Sequence, residues 1–148
     1  MPKKILFLHG LESKPGGTKA QHLEAAGYEV LNPSLPKASF EESVQIAQEE
    51  IDLESPDVIV GSSRGGAVAM SVNPRGAKLV LLAPAWGHFD VDPARIPPGT
   101  TVLHCPSDNI VHYEDSEELA RYDINLVSCG EDHRMNDADA LENLLASI

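Results

Sequence analysis

Three apolar runs, Ile5-Leu6-Phe7-Leu8, Val58-Ile59-Val60 and Leu79-Val80-Leu81-Leu82, limit most sharply what this chain can fold into. Successive side chains of a strand point to opposite faces, so a strand with one wet face alternates apolar and polar residues. A strand that is apolar at every position needs cover on both faces. That is the condition of a parallel sheet held between two layers of helices. The segments between the runs supply such helices. The clearest covers residues 39–54, where Ser39 and Glu42 form a capping-box pair and Phe40, Val44, Ala47 and Ile51 recur on one helical stripe.

The pattern predicts strands at residues 4–9, 28–31, 58–62, 78–83, 101–105 and 125–129. It predicts helices at 18–26, 39–54, 64–72, 113–122 and 137–147. Regular strand–helix alternation implies an α/β fold, a three-layer α/β/α sandwich around a mainly parallel sheet of about six strands. At 148 residues, with no internal repeat or low-complexity tract, one domain over residues 1–148 is expected. Only 84–99 breaks the rhythm. With Pro84, Pro93, Pro97 and Pro98 it reads as a loop-rich crossover between two parallel strands.

Charge narrows the partners. The chain carries 23 acidic and 11 basic residues, a formal net charge of −12, where nucleic acid or an anionic membrane calls for the opposite sign. No apolar run approaches the ~20 residues that span a bilayer. The N-terminal Lys3-Lys4 and the short apolar run after it lack the length and cleavage site of a signal peptide. A cytoplasmic protein is expected, with Cys105 and Cys129 as free, semi-buried thiols.

Ligands of such sheets bind beyond the carboxyl ends of the strands, and the chemistry-bearing residues cluster there. Gly61-Ser62-Ser63-Arg64-Gly65-Gly66 matches G-x-S-x-G, with a strand before it and a small-residue helix after it. In that setting the turn thrusts the Ser63 hydroxyl out of the sheet, and residues two before and two after must be small. A serine hydroxyl needs a base to take its proton. His133, in Gly130-Glu131-Asp132-His133 after the last strand, stands where such a base belongs; the plain alternative is a surface loop histidine. Asp108 follows the strand between them and is the orienting acid, although aspartate also suits a turn or a helix cap. Asp90 and Asp92, after the preceding strand, are the reserve acids. An oxyanion would be met by the backbone N–H groups of Leu11, after the first strand, and Arg64, after the nucleophile. His9, Gly10, Trp86 and Phe89 complete the expected substrate pocket. A phosphate loop fails on spacing, since no G-K-[ST] follows the early glycines. His104, Cys105, Asp108 and His112 are too scattered by strand and loop to read as a metal site, so neither metal nor organic cofactor is expected.

In His9-Gly10, the elbow around Ser63, Asp108 and Gly130-Glu131-Asp132-His133, nearly the whole chain resembles the α/β-hydrolase superfamily, most of all its compact bacterial esterase-like members without a lid. The resemblance implies a truncated form of that fold lacking the first two strands of the full-length sheet, with sheet order 2-1-3-4-5-6. It implies a serine hydrolase acting on a small-molecule carboxylic ester or thioester through an acyl-serine. The competing function is a hydrolase-like binding or regulatory protein without turnover, and a flavodoxin-like domain with a structural serine is the third. Residues 84–99 stand where larger relatives carry a cap, so an open site is expected. Arg64 departs from the usual uncharged residue. It is expected either to attract a carboxylate-bearing substrate or, more plainly, to pair at the surface with one of the many acids.

Overall fold

The computed structural model describes residues 3–11 and 13–148. Six strands, β1 (Lys4–Leu8), β2 (Glu29–Leu31), β3 (Val58–Ser62), β4 (Lys78–Leu82), β5 (Thr101–His104) and β6 (Asn125–Ser128), form one sheet. Its order is β2-β1-β3-β4-β5-β6, the expected one, and every neighbouring pair is parallel. The helices are α1 (Thr18–Ala25), α2 (Phe40–Glu54), α3 (Arg64–Ser71), α4 (Tyr113–Leu119) and α5 (Ala138–Ala146).

The period of two along each strand divides the core into two layers. Leu6, Leu8, Ile59, Leu79, Leu81 and Val102 pack on one face with Ala47 and Ile51 of α2 and Val68 of α3. Their neighbours Ile5, Phe7, Val58, Val60, Val80 and Leu103 pack on the other with Leu23 of α1 and Leu144 of α5. The runs Ile5–Leu8, Val58–Val60 and Leu79–Leu82 are therefore apolar at each position because each position has a helix layer to meet. Full burial of one such leucine contributes about 1.5–3 kcal/mol.

Element ends differ from the sequence reading by one to three residues, for local reasons. Ser39 is the N-cap of α2 rather than its first residue, and its hydroxyl accepts from the Glu42 amide at 3.1 Å. Asp137 caps α5 in the same way through the Ala140 amide. β4 stops at Leu82 because Ala83 turns to φ 43°. α4 closes at Leu119 and tightens into a 3₁₀ turn over Ala120–Tyr122. Residues 84–99 hold two 3₁₀ turns, Trp86–Phe89 and Pro93–Arg95, and send Trp86, Val91 and Ile96 into the core. Cys105 and Cys129, the residues that follow β5 and β6, are buried free thiols, more enclosed than expected. Among the described residues no helix is long and apolar enough to cross a membrane.

Candidate active site

The strand β3 runs directly into α3, and the turn between them is built around Ser63. Its backbone adopts φ 54° and ψ −114°, a conformation most L-residues avoid. Backbone hydrogen bonds on both sides hold it there. The Ser63 amide donates to the Leu82 carbonyl at 2.9 Å, and the Ser63 carbonyl accepts from Gly66 and Ala85 at 2.9 and 3.0 Å. The flanking glycines are steric necessities. A Cβ on Gly61 would lie 2.5 Å from the Gly65 carbonyl oxygen, and one on Gly65 would collide with the Leu8 carbonyl. The turn can be this tight only because neither residue has a side chain, and the tightness projects the Ser63 hydroxyl beyond the strand ends.

Two further loops converge on that hydroxyl. His133 Nε2 lies 3.0 Å from Ser63 Oγ, and His133 Nδ1 lies 2.7 Å from Asp108 Oδ2. Asp108 accepts the Nδ1–H, which leaves Nε2 as the acceptor for the serine proton. The Asp108 side chain is wholly buried, while that of His133 stays 20% exposed. The other carboxylate oxygen accepts from the Ile110 and Val111 amides at 2.8 and 3.0 Å. Burial alone would raise the Asp108 carboxyl, but the His133 bond and these two amides outweigh it and hold it below the ordinary carboxylate value.

The loop carrying His133 is anchored at several points. Met135, at φ 56°, is fully buried in the core beneath it. Asp132 accepts from the Arg134 and Met135 amides at 3.0 and 3.3 Å. Lys19 reaches over from α1 and donates to the Arg134 carbonyl and Asn136 Oδ1 at 2.7 and 2.8 Å. Burial lowers the Lys19 ammonium to about 8, against the opposing pull of Asp132 and with a further push from Arg134.

These groups open into a cleft of about 700 Å³. Ser63, His133, Gly10, Leu11, Arg64 and Phe89 line it. The Leu11 and Arg64 amides, expected to meet an oxyanion, donate to no acceptor among the described residues. Three expectations need correction. His9 does not line the cleft: its ring is buried, with Nε2 accepting from the Leu35 amide at 3.0 Å and Nδ1 2.8 Å from the Gly10 carbonyl. It pins one loop to another. Trp86 is likewise turned inward, where its Nε1–H donates to the Asp115 carbonyl at 3.2 Å and its ring fills the core. Arg64 is neither exposed nor paired with an acid. Only 2% exposed, its guanidinium lies 5.6 Å from the centres of both the Phe40 and Phe89 rings. It donates to the Pro36 carbonyl at 2.9 Å, and Nε has no partner among the described residues.

The reserve acids stand elsewhere. Asp92 caps the Ala94 amide, and Asp90 ends a 3₁₀ turn at φ 55°. Several cleft residues went unread in the sequence. Lys19, His88, Asn109, Ile110 and Asn136 line it without belonging to any motif. Ile110 was visible only as an apolar residue two beyond Asp108, and it is indeed 56% exposed.

No protein-family model matches the chain, and no curated protein sequence matches it. Solved structures do. Alpha/beta hydrolase domain-containing protein 10 from mouse superposes with a TM-score of 0.79 at 18% identity, over 97% of this chain and 87% of that one. An esterase from Exiguobacterium antarcticum gives 0.80 at 14% identity, over 97% and 91%. The esterase domain of a Rhodothermus marinus protein gives 0.70 at 19% identity, over 96% and 82%. With its six parallel strands in the order β2-β1-β3-β4-β5-β6 and helices on both faces, the chain has the α/β-hydrolase fold, in a truncated form.

Proposed function

We propose that the protein is a serine hydrolase that cleaves a small carboxylic ester or thioester through an acyl-serine intermediate. The observation that carries this reading is the unbroken chain of hydrogen bonds Ser63 Oγ, His133, Asp108, with both contacts at 3.0 Å or less. In it His133 Nε2 takes the proton of Ser63 as Oγ bonds to the carbonyl carbon. The buried Asp108 carboxylate steadies the imidazolium that results. The tetrahedral oxyanion is received by the Leu11 and Arg64 amides, which donate to no acceptor among the described residues. As the intermediate collapses, His133 returns the proton to the departing alkoxide or thiolate. Water then repeats the sequence on the acyl-serine, and free Ser63 is restored.

The substrate is a small molecule. The cleft has room for one, its rim is partly apolar at Leu11, Phe89 and Ile110, and polar at Asn109 and Asn136. Residues 84–99 send Trp86, Val91 and Ile96 into the core, which suits a site without a separate cap. Two buried thiols left unpaired suit the reducing cytoplasm. The test is steady-state hydrolysis of p-nitrophenyl esters of increasing chain length. Wild type is expected to turn over the short esters. Ser63→Ala and His133→Ala are expected to lose on the order of 10³-fold or more in kcat while keeping their fold. Equal activity in wild type and Ser63→Ala would refute the reading.

A further inference from the structure

His104 makes contacts that the acyl-transfer chemistry above leaves without a role. It ends β5, where the rest of the strand is Thr101-Val102-Leu103, and it is wholly buried. An imidazole in such a place is costly unless its nitrogens are satisfied. Both are. Nε2 lies 3.1 Å from Asp108 Oδ2 and 3.0 Å from the Val111 carbonyl, and Nδ1 lies 2.6 Å from Ser116 Oγ. A carboxylate and a carbonyl can only accept, so Nε2 carries a proton and donates, forked between them. In the neutral ring Nδ1 then accepts from the Ser116 hydroxyl.

The oxygen that His104 meets is the one that matters most. Asp108 Oδ2 also accepts from His133 Nδ1 at 2.7 Å, so two imidazoles share one carboxylate oxygen. Oδ1 is filled by the Ile110 and Val111 amides. The other groups facing His104 come from α4: Ser116 and the edge-on ring of Tyr113, 5.5 Å between centres. Asp108 is its one acidic partner among the described residues.

We propose that His104 is a positioning residue that acts on His133 through Asp108. Its Nε2–H fixes the rotation of the carboxylate, so that Oδ2 points at His133 Nδ1. It also draws on the charge of that oxygen, which limits how tightly the carboxylate holds a protonated His133. Without it, two effects are expected together. The Ser63–His133–Asp108 alignment loosens and kcat falls. The undivided carboxylate charge also keeps His133 protonated to higher pH, so the acidic limb of the pH–rate profile moves up. The proposal rests on the hydrolytic reading of Ser63, His133 and Asp108.

The experiment compares wild type, Ser63→Ala, His104→Phe and His104→Gln on p-nitrophenyl acetate as a function of pH, with thermal melts of each. Loss of one hydrogen bond to a charged group predicts a fall of roughly 10–100-fold in kcat for His104→Phe, with KM changed less than about twofold. Its acidic limb should move to higher pH. His104→Gln, whose amide can donate near the position of Nε2, should recover most of both. A His104→Phe enzyme that melts lower but keeps the wild-type kcat and limb would reduce His104 to packing and overturn the proposal, while the hydrolytic reading stood. An inactive wild type would overturn both. Should His104→Phe fail to fold, imidazole ¹⁵N spectra of the wild type decide: a protonated Nε2 on His104 supports the proposal, and a bare Nε2 with the proton on Nδ1 overturns it.

Discussion

Ser63 holds a backbone conformation at φ 54° and ψ −114° that only its surroundings enforce. Such strain costs on the order of 1–3 kcal/mol, whereas glycine in its place loses roughly 0.5–1 kcal/mol through the unfolded chain. Ser63→Gly is therefore expected to be inactive yet more stable by about 1 kcal/mol, read by urea unfolding. Lower stability would mean that the turn is unstrained. Asp108 yields a second prediction. Its folded carboxyl titrates below the ordinary value of 3.8, so its ionised form favours the fold. That contribution is fully present above the ordinary value and is lost as pH falls through the lower, folded one. Urea unfolding of wild type and Asp108→Asn should show a stability gap at neutral pH that narrows below about pH 4. A gap independent of pH would contradict the hydrogen-bond account of that carboxylate.

Two elements carry the site, and they differ in how plainly the chain announces them. The elbow between β3 and α3 was legible because its sterics restrict residue types: Gly61 and Gly65 approach each other's backbone and that of Leu8 too closely for a Cβ. Gly65→Ala is expected to cost several kcal/mol and to leave little folded protein, seen in circular dichroism and expression yield. The loop carrying His133 was legible only as a position, a histidine after the last strand. What holds it is spread over the molecule: Met135 in the core, Asp132 capping its own loop and Lys19 from α1. Asp132 and Met135 adjoin His133, but no spacing marks them as anchors, and Lys19 lies 115 residues before the Arg134 carbonyl that it holds. Met135→Ala should cost about 2–5 kcal/mol and also lower kcat, because the cavity lies beneath the His133 loop. His9 and Trp86 were misread for a related reason: a strand-end histidine and a loop tryptophan look the same in sequence whether they face a cleft or, as here, the Leu35 amide and the Asp115 carbonyl. The surface pairing expected of Arg64 failed because nothing in its spacing reveals the stacked Phe40 and Phe89 rings that it packs beside.

At the scale of the whole molecule, the sheet explains why residues 63, 108 and 133 meet at all. Each follows a strand of one parallel sheet, β3, β5 and β6 in turn, and parallel strands end on the same side. The parallel, doubly covered sheet was legible because apolar runs such as Leu79-Val80-Leu81-Leu82 admit no wet face, whereas the order of its strands was legible only through the resemblance to α/β hydrolases. The depth and furnishing of the cleft were not, since Lys19 of α1 and the loop residues Asn109 and Asn136 reach it from three separate parts of the chain. The account as a whole stands on Ser63 becoming covalently acylated, and the most direct measurement is peptide-level mass spectrometry after exposure to a fluorophosphonate at neutral pH. The account predicts one adduct per chain, on the peptide containing Ser63, absent from Ser63→Ala and strongly slowed in His133→Ala. An unlabelled wild-type protein, or an adduct on another residue that persists in Ser63→Ala, would contradict it.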